Sequence, residues 1–94
     1  CERAPITISR YSVAPGKEIS LHVHTGKHEY WIVVAGSGMV SIDEERIAVG
    51  EGDVVLTPAG RAHALANTGE IPLVFVNVVE LTGDATVTTT EVSP

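Results

Sequence analysis

A chain of 94 residues makes one small domain with a single core and little margin, and we expect that domain to run over 1–94. Apolar residues make up 44% and charged residues 19%, which excludes a disordered chain, and with one Trp, two Tyr and one Phe the core has to be largely aliphatic. The formal charge is −6 and the six Lys and Arg are scattered singly, so there is no basic stripe to grip a polyphosphate backbone, and nucleic acid is not expected as a partner.

In chain order, short β-favouring runs recur between glycine and proline signals. ITISRYSV precedes Pro15-Gly16, EISLHVH precedes Thr25-Gly26, and EYWIVV precedes Gly36-Ser37-Gly38. GMVSID, ERIAV, DVVLT, HALAN, PLVFVNVVEL and TVTTTEV follow, each bounded by Gly, Pro, Asn or Asp. No window shows an apolar period of 3.6, so the pattern predicts an all-β chain of eight or nine strands. Short turns between so many strands suit an antiparallel β-barrel or jelly roll, which manages sheet edges by closing or doubling the sheet. The threonine-rich end, GDATVTTTEVSP, reads either as a frayed tail or as an edge strand; an edge strand pairing with a second copy would give a homodimer. No apolar run approaches the ~18 residues of a membrane span and no leader pattern opens the chain, so a soluble, cytoplasmic protein is expected. Cys1 is the lone cysteine, so any metal here has to be held by nitrogen and oxygen.

The chemistry concentrates in LHVHTGKHEYW, where three of the four histidines and a glutamate fall between positions 22 and 29. Side chains two apart on a strand share a face, so His22 and His24 project one way while Leu21 and Val23 project the other. Thr25 to His28 reads as a turn, and Glu29 opens the next strand beside the histidine pair. His63, after the turn Pro58-Ala59-Gly60-Arg61-Ala62, can complete a set of three imidazoles and one carboxylate. Such a set suits one divalent transition metal (Fe, Mn, Ni, Co, Cu or Zn) and leaves two positions of an octahedral shell for water or substrate. Without an ion, two imidazoles on one inner face would be desolvated with nothing in return. His28 points to the opposite face or sits in the turn, and reads as an exposed histidine without function.

Other motifs fail. His28-Glu29 begins an HExxH, but Ile32 stands where the second histidine belongs and the segment is a strand. Gly36-Ser37-Gly38 and Gly50-Glu51-Gly52 begin dinucleotide fingerprints, but Ser41 and Val55 replace the third glycine and no helix follows.

By parity with Glu29, Trp31 turns inward; His63 brings Leu65 and Asn67, and Phe75 shares a face with Asn77. These five are the candidate substrate-binding residues of a mainly apolar pocket for a small, partly oxygenated molecule, with core packing the competing reading for Trp31 and Phe75. The asparagines equally suit turns or strand ends. The catalytic candidates are Tyr30, Lys27 and Arg61. Tyr30 faces away unless a bulge brings it in as a general acid or base. Lys27 and Arg61 sit in turns beside the ligands, where they can meet a phosphate or remain solvated.

The chain resembles the cupin superfamily through two motifs. G-x5-H-x-H-x4-E-x6-G is carried by Gly16, His22, His24, Glu29 and Gly36, and G-x5-P-x-G-x2-H-x3-N by Gly52, Pro58, Gly60, His63 and Asn67. The resemblance implies a compact single-domain cupin over about residues 6 to 81, an antiparallel barrel or double-stranded jelly roll with one metal on the three histidines and the glutamate. Within cupins, EYWIVVAGSG and TPAGRAHALANTGEIPL look most like the metal-binding barrel of type II phosphomannose isomerases, in which glutamine replaces His22 and arginine replaces Lys27, and a nucleotidyltransferase domain lies upstream. That implies a metalloenzyme of the sugar-phosphate isomerase kind. A metal-dependent dioxygenase or lyase, and a non-catalytic module holding a sugar or other small ligand, remain the alternatives.

Overall fold

The structure, a computed structural model, describes residues 6–81 and 88–91, with the side chains of residue 24 and of 88–91 outside that description. The described strands are β1 (Ile6–Val13), β2 (Glu18–Thr25), β3 (Lys27–Ala35), β4 (Ser37–Ile42), β5 (Glu45–Gly50), β6 (Val54–Thr57), β7 (Ala62–Asn67), β8 (Leu73–Leu81) and β9 (Thr88–Glu91). They form two antiparallel sheets, one ordered β1-β8-β3-β6 and the other β5-β4-β7-β2-β9. Among the described residues no helix is long and apolar enough to cross a membrane.

The expected closed barrel is not what forms. Closure requires an unbroken ladder around the axis, whereas among the described residues the four-stranded and five-stranded sheets share no ladder and keep open edges at β1 and β6 and at β5 and β9. The chain passes from one sheet to the other at nearly every turn, so strands adjacent in sequence mostly pack across the sandwich instead of pairing; the β4–β5 hairpin is the exception. Burying one face of each sheet against the other satisfies the same apolar alternation that a barrel would. The architecture is therefore an open, two-sheet jelly roll.

The alternation places the core. Burial follows every second residue in β3, β7 and β8, and Trp31, Val33, Val40, Leu65, Leu73 and Phe75 meet between the sheets with Val13, Val49 and Val55. The turn from β3 to β4 comes unusually close to the β7–β8 connection. Gly36 has φ +84° there, and a Cβ on it would lie 2.6 Å from the Pro72 carbonyl oxygen and 2.9 Å from Leu73 Cα. No other residue fits.

The C-terminal stretch read as tail or edge strand includes β9, which pairs with β2 of its own chain, Thr88 opposite Thr25 and Glu91 opposite His22. Residues 82–87 and 92–94 lie outside the described part.

Candidate functional site

A bulge builds the site. The β2–β7 register shifts between Ile19 and His22, which sets His22 directly opposite His63. Their rings face each other edge-on, with centroids 4.4 Å apart and planes inclined at 66°. Each ring is oriented by the backbone two residues before it: His22 Nδ1 lies 2.6 Å from the Ser20 carbonyl oxygen and His63 Nδ1 lies 3.2 Å from that of Arg61. A carbonyl can only accept, so both imidazoles carry a proton on Nδ1, and in the neutral ring the lone pair then sits on Nε2. That tautomer is the one a metal-ligating histidine needs.

His63 is 1% exposed, with Trp31 set edge-on at 5.3 Å. Burial pushes its pKa below the ordinary 6.5, and the nearby His22 and Lys27 push the same way, against the opposing effects of the Arg61 carbonyl and the Glu29 charge. The ring is held neutral.

Glu29, on β3, is 4% exposed, and its charge is compensated on every side. Oε1 accepts from Trp31 Nε1 at 3.0 Å and from Asn77 Nδ2 at 2.9 Å, and Lys27 Nζ lies 3.3 Å from Oε2. The register makes this possible, because Trp31 and Asn77 are paired across β3 and β8 while Lys27, Glu29 and Trp31 alternate along one face. His24 is placed by its backbone opposite Thr89, and its side chain lies outside the described part. Among the described residues no three His, Cys, Asp or Glu side chains stand close enough to hold a metal ion. The donor chemistry nonetheless fits one: two imidazoles already in the ligating tautomer, one of them held neutral, and a buried carboxylate that now takes its positive charge from a lysine.

Beside these groups opens a cavity of about 230 Å³, with His22, Lys27, Glu29 and Asn77 as its polar wall and Tyr11, Ile19, Trp31 and Phe75 as its apolar one. Phe75 is the hinge of the apolar wall, stacked on Tyr11 at 5.5 Å and tilted against Trp31 at 5.4 Å. Of the residues singled out from the sequence, His22, Glu29, Trp31, Phe75, Asn77 and Lys27 line this cavity, whereas His63, Leu65, Asn67, Tyr30 and Arg61 do not. Leu65 is core. Asn67 spends its amide on main chain, Nδ2 donating to the Val13 and Ile71 carbonyls and Oδ1 accepting from Gly69 N, each at 2.9 Å. Tyr30 faces away from the cavity and donates to Glu80 Oε1 at 2.9 Å, a bond to a carboxylate that raises the phenol's pKa. Arg61 pairs with Asp43 at 3.0 Å on the surface. His28, expected to be idle, accepts from Ala59 N at 3.0 Å and ties down the turn before His63.

Sequence reasoning missed Tyr11 and Ile19. Tyr11 was findable, because it shares strand parity with the apolar Val13 and is one of only two tyrosines; Ile19 was not, because the bulge after it breaks the parity that links it to His22.

Comparison with known proteins agrees with this fold. The Escherichia coli mannose-1-phosphate guanylyltransferase is 38% identical over 71 residues, which are 76% of this chain and 15% of that protein, so the chain spans about 15% of the length of the curated relatives it matches. A crystal structure from Thermotoga maritima described as a predicted oxalate decarboxylase superposes with a TM-score of 0.76 at 31% identity, covering 79% of this chain and 64% of the other. An uncharacterised Klebsiella pneumoniae protein with a double-stranded β-helix domain superposes with a TM-score of 0.82 at 27% identity, covering 98% and 80%. Residues 9–79 match the Cupin_2 family model, described as a cupin domain, and the chain therefore belongs to the cupin family.

Proposed function

We propose that this cupin domain holds one divalent transition metal on His22, His24, Glu29 and His63 and acts on a small sugar phosphate, in the manner of an isomerase. The observation that carries the reading is the meeting, at one small cavity, of His22, a buried carboxylate and a lysine, with His63 ring to ring with His22. A volume of about 230 Å³ is below the ~300–1,000 Å³ of pockets for drug-sized ligands, so the ligand is a compact molecule and not a nucleotide sugar. The likeness to a mannose 1-phosphate enzyme supports the sugar-phosphate class, as does the resemblance of EYWIVVAGSG and TPAGRAHALANTGEIPL to type II phosphomannose isomerases.

Each wall of the cavity has a part in this. Lys27 Nζ offers the positive charge for a phosphate, and Trp31, Phe75 and Tyr11 offer flat apolar faces for the carbon skeleton. Trp31 and Asn77 fix the Glu29 carboxylate so that it does not swing as the ligand enters. A bound divalent ion supplies Lewis-acid polarisation of a carbonyl or hydroxyl.

A second reading, a binding module without turnover, draws on one specific observation. Two of the three catalytic candidates are directed away from the cavity, Tyr30 to Glu80 and Arg61 to Asp43, so among the described residues the proton-transfer groups in the cavity wall beyond the proposed ligands are Lys27 and Tyr11. The test is to incubate metal-loaded protein with aldose and ketose phosphates and follow interconversion by NMR, with His24→Ala as control. Isomerisation that disappears in the control supports the first reading. Saturable binding with no turnover supports the second, and oxygen uptake with catechol or diketone substrates replaces both with a dioxygenase.

A further inference from the structure

One cation in the cavity wall has two claims on it. Lys27 Nζ lies 3.3 Å from Glu29 Oε2, with the lysine side chain 19% exposed and the glutamate side chain 5%. The same lysine lines the cavity, with His22, Glu29 and Asn77 on its polar side. An ammonium this far out of water needs a counter-ion, because an unpaired charge in a low dielectric is strongly disfavoured. Glu29 leaves little room for a second cation. Its Oε1 already accepts from Trp31 Nε1 at 3.0 Å and from Asn77 Nδ2 at 2.9 Å, which occupies the two lone pairs of a carboxylate oxygen. A cation adds at Oε2, and Lys27 stands there.

We propose that Lys27 couples metal binding to anion binding: a divalent ion on Glu29 frees the ammonium, and the freed ammonium gives the cavity its affinity for a tetrahedral dianion. The inference rests on the metal site and the sugar-phosphate reading proposed above, and it adds an order to them, metal before ligand. Charge sets the direction. In the metal-free chain Lys27 and Glu29 neutralise each other, so the pair offers an anion no net charge. A divalent ion and an ammonium repel, so the two cannot share Oε2. Lys27 is the first residue of β3 and follows Gly26, at φ +79°, and its flexible four-carbon stem lets the ammonium move within the cavity while the strand stays in place. One carboxylate, one ammonium and one divalent ion leave the wall at about +2, the complement of a phosphate monoester at about −1.5 to −2 near neutral pH. A neutral sugar gains nothing from that change. The cavity therefore discriminates phosphorylated from free sugar only in the metal-loaded state, and by linkage the dianion tightens the metal by the same factor.

The test titrates chelator-stripped protein with Mn²⁺, reading free Mn²⁺ by electron paramagnetic resonance, in sodium sulfate and in sodium chloride of equal ionic strength. Sulfate is a tetrahedral dianion, and the measurement involves no turnover. In the wild type, sulfate should lower the Mn²⁺ dissociation constant by about 10-fold or more, within the ordinary range for two coupled sites. Lys27→Arg keeps the charge and should keep the shift. Lys27→Met should bind Mn²⁺ more tightly than the wild type in chloride and respond to sulfate by less than about 2-fold. Circular dichroism at the titration temperature checks that each variant is folded, and the wild-type response stands without any variant. A wild type with the same Mn²⁺ affinity in both salts overturns the proposal. So does an equal shift in wild type and Lys27→Met, which would put the sulfate on the ion itself. Either result leaves the metal site standing, whereas a wild type that binds no Mn²⁺, or binds it as His22→Ala does, removes the site and this inference together.

Discussion

Replacing Lys27 by Met separates its two roles, as counter-ion of Glu29 and as a competitor for the place a metal would take. The Nζ–Oε2 distance is 3.3 Å and the two side chains are only 19% and 5% exposed. Coulomb's law at an effective dielectric of about 20 gives about 5 kcal/mol for unit charges at that distance. Lysine desolvation and the ordering of its long stem offset part of this, and its residual exposure offsets more, which leaves a net loss of about 2–3 kcal/mol when the pair is broken on one side. Trp31 and Asn77 remain on Oε1, so the carboxylate keeps its hydrogen bonds and loses only its charge partner. For a domain of this size that loss lowers the melting temperature of metal-free protein by roughly 10–20 °C at neutral pH. Divalent ion should then restore more stability to the variant than to the wild type, because the carboxylate has no lysine to displace. Differential scanning calorimetry with chelator and with saturating Mn²⁺ or Zn²⁺ reads both effects. A metal-free variant that melts within a degree or two of wild type would refute the argument, since it would mean that the buried carboxylate does not depend on Lys27 for its charge.

Gly36→Ala should destabilise by about 2–4 kcal/mol, the sum of an unfavourable positive φ and a contact with backbone that cannot move aside, measured by urea unfolding. Asn67→Ala strips hydrogen bonds from the Val13 and Ile71 carbonyls and from Gly69 N, for a loss of about 2–4 kcal/mol; ligand affinity of the folded fraction should not change, because Asn67 does not line the cavity. Stability should also fall with acid through His63. Its folded pKa lies below the ordinary 6.5, so as pH drops beneath 6.5 the unfolded chain takes up a proton that the folded chain refuses. The contribution is present in full above 6.5 and declines from there toward the lowered value. Metal, if bound on neutral imidazoles, should be released over the same acidic range, and urea midpoints together with metal content after dialysis at stepped pH check both statements.

How far the sequence could be read depended on whether a feature is local. Strand parity is a property of one strand, and it correctly orients Glu29, Trp31, Phe75 and Asn77 toward the cavity; it also turns Tyr30 the other way. Parity gives a face but not a depth. Leu65 and Asn67 share the face of His63, yet each step of two residues carries them about 7 Å along β7, away from His22 and into the core and the β7–β8 turn. The same limit explains the barrel. Alternating apolar residues demand that each strand bury one face, and a closed ladder and two stacked open sheets meet that demand equally, so the choice lies in strand pairings that no single segment encodes. The four-stranded sheet then shows what alternation alone conceals. In β8 both faces are apolar, Leu73 and Phe75 inward, Val74, Val76 and Val78 outward, and a strand that is apolar on both sides of the pleat belongs between two layers. The structure buries the first of those faces and leaves Val74, Val76 and Val78 half-buried on the second, a difference in depth that the run PLVFVNVVEL does not disclose.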